Sequence, residues 1–118
     1  MGAWKPMSEY ETVKSWLAGL RQQWGTDPLQ DDPGCLEDVE RFCRFIDKDP
    51  EMMIKECFIR KSGQKVISYK GRTFYYNKIA EFQDSIDEES RNKVRIGNHV
   101  RSFFIHNGVF MQSGMQLG

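Results

Sequence analysis

Four stretches of this chain share one spacing: apolar residues three or four apart, with polar residues between them. Val13, Trp16, Leu17, Leu20 and Trp24 form the first stripe, and Leu36, Val39, Phe42, Cys43 and Ile46 the second. Tyr75, Ile79, Phe82 and Ile86 form the third, and Ile96, Val100, Phe103 and Phe104 the last. An α-helix turns once in about 3.6 residues, so each stripe is one buried helix face. A shorter segment carries Met53, Ile54, Cys57 and Phe58 inward in the same way. Period-two alternation is convincing nowhere. "KVISY" comes nearest, lacks a recognisable hairpin partner, and reads as a loop entering the next helix. The pattern predicts an all-α fold, a compact bundle of four to five helices forming a single domain over 1–118, with loose ends at 1–8 and 110–118.

Boundary residues agree with these stripes. Ser8 and Glu11 have capping-box spacing ahead of the first helix, and Gly25 is a stop signal. Asp32-Pro33 and Asp49-Pro50 each place a side-chain acceptor before a proline, which suits the start of a helix. The last helix spans about 90–107, roughly 27 Å at ~1.5 Å per residue, and Asn107-Gly108 supplies a left-handed stop. Gly97 lies inside that helix at the edge of its apolar face, which predicts a close approach by a neighbouring helix.

Several classes are excluded. No apolar run approaches the roughly 18 residues of a membrane span, and "MGAWKPMSEYE" lacks a secretory apolar core. Gly2 does not complete a myristoylation signal, because Pro6 stands where Ser or Thr is required. Cys35, Cys43 and Cys57 are odd in number and match no zinc spacing; they read as reduced core thiols of an intracellular, cytoplasmic protein. The abrupt "MQSGMQLG" suggests a piece of a longer protein.

The net charge is zero, with 17 basic and 17 acidic residues, yet the two signs are separated. Residues 1–59 carry 7 basic and 12 acidic side chains, and residues 60–118 carry 10 and 5. Two stretches are purely basic: 60–78, with Arg60, Lys61, Lys65, Lys70, Arg72 and Lys78, and 90–118, with Arg91, Lys93, Arg95 and Arg101. Such a split suits either a polyanionic partner or an acidic half folded against a basic one. On a helical wheel Arg91, Arg95, Asn98 and Ser102 share a strip opposite Ile96, Val100, Phe103 and Phe104. Arginine forks and asparagine amides reach phosphate oxygens and base edges, so this strip is a candidate nucleic-acid contact. Lys70, Arg72 and Lys78 join it on charge alone.

The segments follow one another in a set order: "VKSWLAGL", then "CLEDVERFCRFI", then "IAEFQDSI", then "SRNKVRIGNHVRSFFIHNGV". With Leu36, Val39, Phe42 and Phe45 in the second segment, and Val100, Arg101, Ser102, Phe103, Phe104, Asn107 and Gly108 in the last, this order resembles the N-terminal core-binding domain of the tyrosine recombinase (phage integrase) family. The resemblance covers about 10–112 and implies a SAM-like bundle gripping double-stranded DNA from one side, while a separate C-terminal catalytic domain grips the other. It assigns DNA contact to Arg91, Asn92, Lys93 and Arg95 on the last helix and, more loosely, to Arg41 and Arg44 on the second.

No catalytic constellation accompanies these motifs. His99-Val100-Arg101 is one residue tighter than the family's His-x-x-Arg, and no tyrosine follows Tyr76 to act as nucleophile. His99 and His106, seven apart, have no carboxylate in sequence reach, so neither a metal site nor a bound cofactor is expected. The expectation is a non-catalytic DNA-binding domain serving recombination and integration. The alternative is a protein-interaction domain using its acidic half or the Trp4/Met7 arm.

Overall fold

The computed structural model describes residues 4–111. It is mostly helical, with six helices and one β-hairpin: α1 (Glu11–Trp24), α2 (Pro28–Asp31), α3 (Cys35–Ile46), α4 (Pro50–Glu56), β1 (Phe58–Lys61), β2 (Gln64–Ile67), α5 (Tyr69–Ser85) and α6 (Ser90–Ile105). The apolar stripes fall on α1, α3, α5 and α6, and their residues meet in one core. α6 packs between α3 and α5 and touches α1. The ring of Phe104 lies 5.3 Å from that of Tyr75 on α5 and 6.3 Å from that of Phe42 on α3. Phe103 meets Trp16 of α1 edge-on at 5.9 Å. Rings in such tilted and edge-to-face pairs add directional attraction to the area they bury.

The boundaries follow local chemistry, with two exceptions. Gly25 (φ 77°) ends α1 and returns its N–H to the Arg21 carbonyl, as the sequence predicts. Asp49 caps α4 by accepting from the Met52 N–H at 2.9 Å. Gly108 (φ 90°) follows the end of α6, and the Asn107 amide donates to the carbonyls of Thr12 and Phe103. The Ser8 capping box is not formed. Met7 is drawn into the core, Met7–Glu9 winds into a 3-10 turn that takes in Ser8, and Tyr10 holds the N-cap position of α1. Glu51 of α4 takes over, accepting from the Thr12 N–H at 2.9 Å. Asp32 does not cap α3 either. The helix begins at Cys35, a short α2 capped by Asp27 precedes it, and the Asp32 side chain turns elsewhere.

The all-α expectation needs correction at one place. Residues 58–67, expected as a loop, form an antiparallel hairpin with Arg60 opposite Lys65 and Ile59 opposite Val66. Its two-residue turn has Ser62 at φ 53° and Gly63 at φ 78°. Positive φ at both turn positions matches the right-handed twist of the flanking strands. Each strand is only four residues long and largely exposed, so neither carries an apolar alternation. The ends also differ from expectation: Trp4 packs against the core, and Met7 and Met111 are buried in it. Residues 1–3 and 112–118, the rest of the expected loose ends, lie outside the described residues.

Two glycines set helix spacing. A Cβ on Gly97 would run into the Gln83 amide of α5, which is the close approach read from the sequence. A Cβ on Gly71 would collide with the Glu56 backbone carbonyl, so the start of α5 lies directly on the end of α4. Backbone cannot yield as a flexible side chain does. Gly71→Ala is expected to lower unfolding free energy by about 2 kcal/mol, the usual scale of overpacking, as read by denaturant titration.

Candidate nucleic-acid interface

The polar strip of α6 exists as the wheel draws it: Arg91, Arg95 and Asn98 are exposed, and Ser102 is turned against α1. Trp16, Leu20 and Trp24 of α1 run beside Arg91, Val94, Arg95, Asn98 and Ser102, and together they enclose a groove of about 390 Å³. Ser102 Oγ accepts from the Trp16 indole N–H at 3.0 Å. Arg95 reaches Asp32 at 3.7 Å, and the Asn98 side-chain carbonyl accepts from Arg101 at 3.1 Å. Burial pulls the Arg101 pKa down. Asn92 and Lys93 are half-buried, and their backbone N–H groups bond Glu89. Arg91 is exposed, and neither it nor Lys93 pairs with a carboxylate among the described residues. A wheel tells which residues share a face; it does not tell what that face meets.

Three other candidates are neutralised. Arg41 lies 3.9 Å from Asp38 and 3.8 Å from Glu88. Arg44 bonds Glu40 at 2.8 Å and covers the Trp4 ring. Lys78 pairs with Glu81 at 3.1 Å. Exposed pairs like these are weak, on the order of 0–1 kcal/mol, yet they leave little uncompensated charge. Arg41, Arg44 and Lys78 therefore drop from the leading interface set.

The uncompensated charge sits on the hairpin and on Lys70. No acidic residue occurs between Glu56 and Glu81. Arg60 and Lys65 are direct cross-strand partners. Like charges in that position oppose pairing. Among the described residues Arg60 bonds the Gly63 carbonyl of its own turn, at 3.1 Å, and Lys65 rests over the Phe58 ring at 4.5 Å. Lys61 faces Gln64, and Lys70 is exposed at the start of α5. Arg72 lies over the Phe110 and Tyr76 rings and donates to the Phe110 carbonyl at 2.9 Å. Arg60, Lys61 and Lys65 belong to the basic stretch 60–78 read from the sequence, but not to the site residues singled out from it. The signal that could have found them is Ser-Gly flanked by two short cationic runs.

His99 corrects a second expectation. Its Nδ1 lies 2.6 Å from Asp38 and its Nε2 2.6 Å from Asp32, so carboxylates 61 and 67 residues away flank the ring. Burial works against the charged imidazole, but the two carboxylate bonds outweigh it and raise the pKa above the ordinary value. Among the described residues no set of three His, Cys, Asp or Glu side chains is arranged to hold a metal ion. The three cysteines are free and buried, and burial pushes Cys35 up to about 11 and Cys43 and Cys57 up to about 12. No helix among the described residues is long and apolar enough to cross a membrane.

No family model matches the chain, and no curated protein or solved structure matches it. The residues that carry the recombinase resemblance have structural work of their own. Val100, Phe103 and Phe104 are core, and Asn107 and Gly108 finish α6.

The Trp16–Ser102 bond separates a strip facing α1 from one facing water. Ser102→Ala leaves a partly buried indole N–H unpaired and is expected to cost about 1–2 kcal/mol in denaturant unfolding. A water-facing serine would change stability by no more than about 0.5 kcal/mol.

Proposed function

We propose that this chain is a non-catalytic module that binds double-stranded DNA, with the hairpin as its main contact and the start of α6 as a second one. The observation that carries this reading is the Arg60–Lys65 cross-strand pair, two cations at one rung of the hairpin that make no ion pair among the described residues, although Glu51 lines the same groove. Repulsion between them weakens the hairpin, and a polyanion relieves it. A two-stranded ribbon also fits the major groove in width. Arg60, Lys61, Lys65 and Lys70 neutralise phosphates, and exposed Ile59 sits one rung nearer the hairpin's foot than Arg60. Arg91 and Lys93 form the second patch. Phe58, at the foot of the hairpin, packs near Gly108, past the C-terminal end of α6. The patches thus stand at opposite ends of a 16-residue helix, roughly 24 Å apart along its axis. The recombinase resemblance supplies the context of this proposal, a DNA clamp working beside a separate catalytic domain.

One feature favours a protein partner instead. Trp24 and Val94 are 42% and 47% exposed along the α1–α6 groove, an apolar lining that DNA does not need.

Gel retardation of a short duplex across a salt series separates these readings. Six phosphate contacts, four from the hairpin side and two from α6, give a slope of log affinity on log salt of about −5. The double variant Arg60→Glu, Lys65→Glu should lose at least ~10-fold in affinity and flatten the slope by about 2, whereas Lys78→Ala should change affinity less than ~2-fold. A folded protein that retards nothing at low salt, or a double variant that binds like the parent, overturns the DNA reading.

A further inference from the structure

We propose that a proton on His99 clasps the loop around Asp32 and the first turn of α3 to α6, and that loss of this proton opens the clasp at Asp32. Both ring nitrogens lie 2.6 Å from a carboxylate oxygen. A neutral imidazole has one N–H, so its other nitrogen would point a lone pair at a carboxylate across that distance. Only the imidazolium, with two donors, satisfies both contacts.

The groups facing the ring decide which contact yields. α3 contributes Asp38, with Arg41 behind it at 3.9 Å and Glu88 beyond that arginine. The loop before α3 contributes Asp32, and α6 itself contributes Arg95, 3.7 Å from the same Asp32 carboxylate. Asp32 and Asp38 both act on the Cys35 thiol beside them. α1 brings the uncharged Trp16 and Leu20 to the groove, and no charged group of α5 acts on the imidazole among the described residues. Asp38 is 7% exposed on a helix, whereas Asp32 is on a loop and has Arg95 as a second partner. The Asp32 contact is therefore the one that breaks, and Asp32 passes to Arg95. The Asp32 side chain, which lines the α1–α6 groove, is then held by that single cation.

The direction with pH follows from the raised pKa. The clasp contributes its full stability below the ordinary histidine value of 6.5 and loses it as pH rises through the higher folded value. This inference is independent of DNA binding.

Proton NMR titration of the native protein reads it directly, with His99→Gln used to assign the signal. His99 is expected to titrate above 6.5, and Asp32→Asn to move its midpoint down. Between about pH 6 and about pH 9 the parent Tm should fall more than that of His99→Gln. A His99 midpoint at or below 6.5 overturns the proposal, as does one that neither Asp32→Asn nor Asp38→Asn shifts. If His99→Gln fails to fold, the response of the native midpoint to Asp32→Asn decides the matter.

Discussion

Everything in this molecule leans on the pair of rings at the end of α6. Phe104 touches aromatic side chains of α3 and α5 at once, and its neighbour Phe103 turns the other way to meet α1. Adjacent residues on a helix point about 100° apart, so a Phe-Phe dipeptide on a central helix joins two separate packing interfaces. The other helices need not touch one another extensively. They are arranged around α6, and Gly97 lets α5 come close enough to complete the arrangement. Packed against three helices, α6 keeps Arg91, Arg95 and Asn98 exposed, while Ser102 on the same strip is tied to Trp16 of α1.

The same distinction explains what could be read from the sequence. Stripes of Val, Trp, Phe and Ile at helical spacing, the Asp49-Pro50 start and the Gly25 and Gly108 stops are local signals, and the corresponding elements are present. What escaped depends on residues distant in the chain. Ser8 lost its capping role because Met7 is pulled into the core, and the vacant donor was met by Glu51, 39 residues on. Asp32 had the right position for a cap, but His99, 67 residues away, claims it. The hairpin was hidden for another reason: its strands are too short and too exposed for alternation to show, and Ser62 takes a left-handed conformation more commonly given to Asn or Gly.

Charge was legible as segregation and not as pairing. The acidic and basic halves do meet, at Arg95–Asp32, Arg41–Glu88 and His99. Most other pairs are local, three or four residues apart on one helix, as in Lys14–Glu11, Arg44–Glu40 and Lys78–Glu81. Helical segments that contain both signs neutralise themselves in this way. The hairpin lies in a run with no acid at all, so it has no local means of doing so. Facing cations on a short exposed ribbon oppose its pairing, and an anionic partner, as proposed above, relieves that opposition.

The buried thiols have a practical bearing. Cys35 opens α3, Cys43 sits within it against the ring cluster, and Cys57 lies at the foot of the hairpin. All three are fully covered, and their thiolate forms are strongly disfavoured. An alkylating reagent attacks the thiolate, so the closed molecule resists it and each sulfur becomes accessible only when its own neighbourhood loosens. The chain therefore carries three natural reporters of local opening, and mass spectrometry after a labelling pulse can rank how easily the two ends of the bundle come apart.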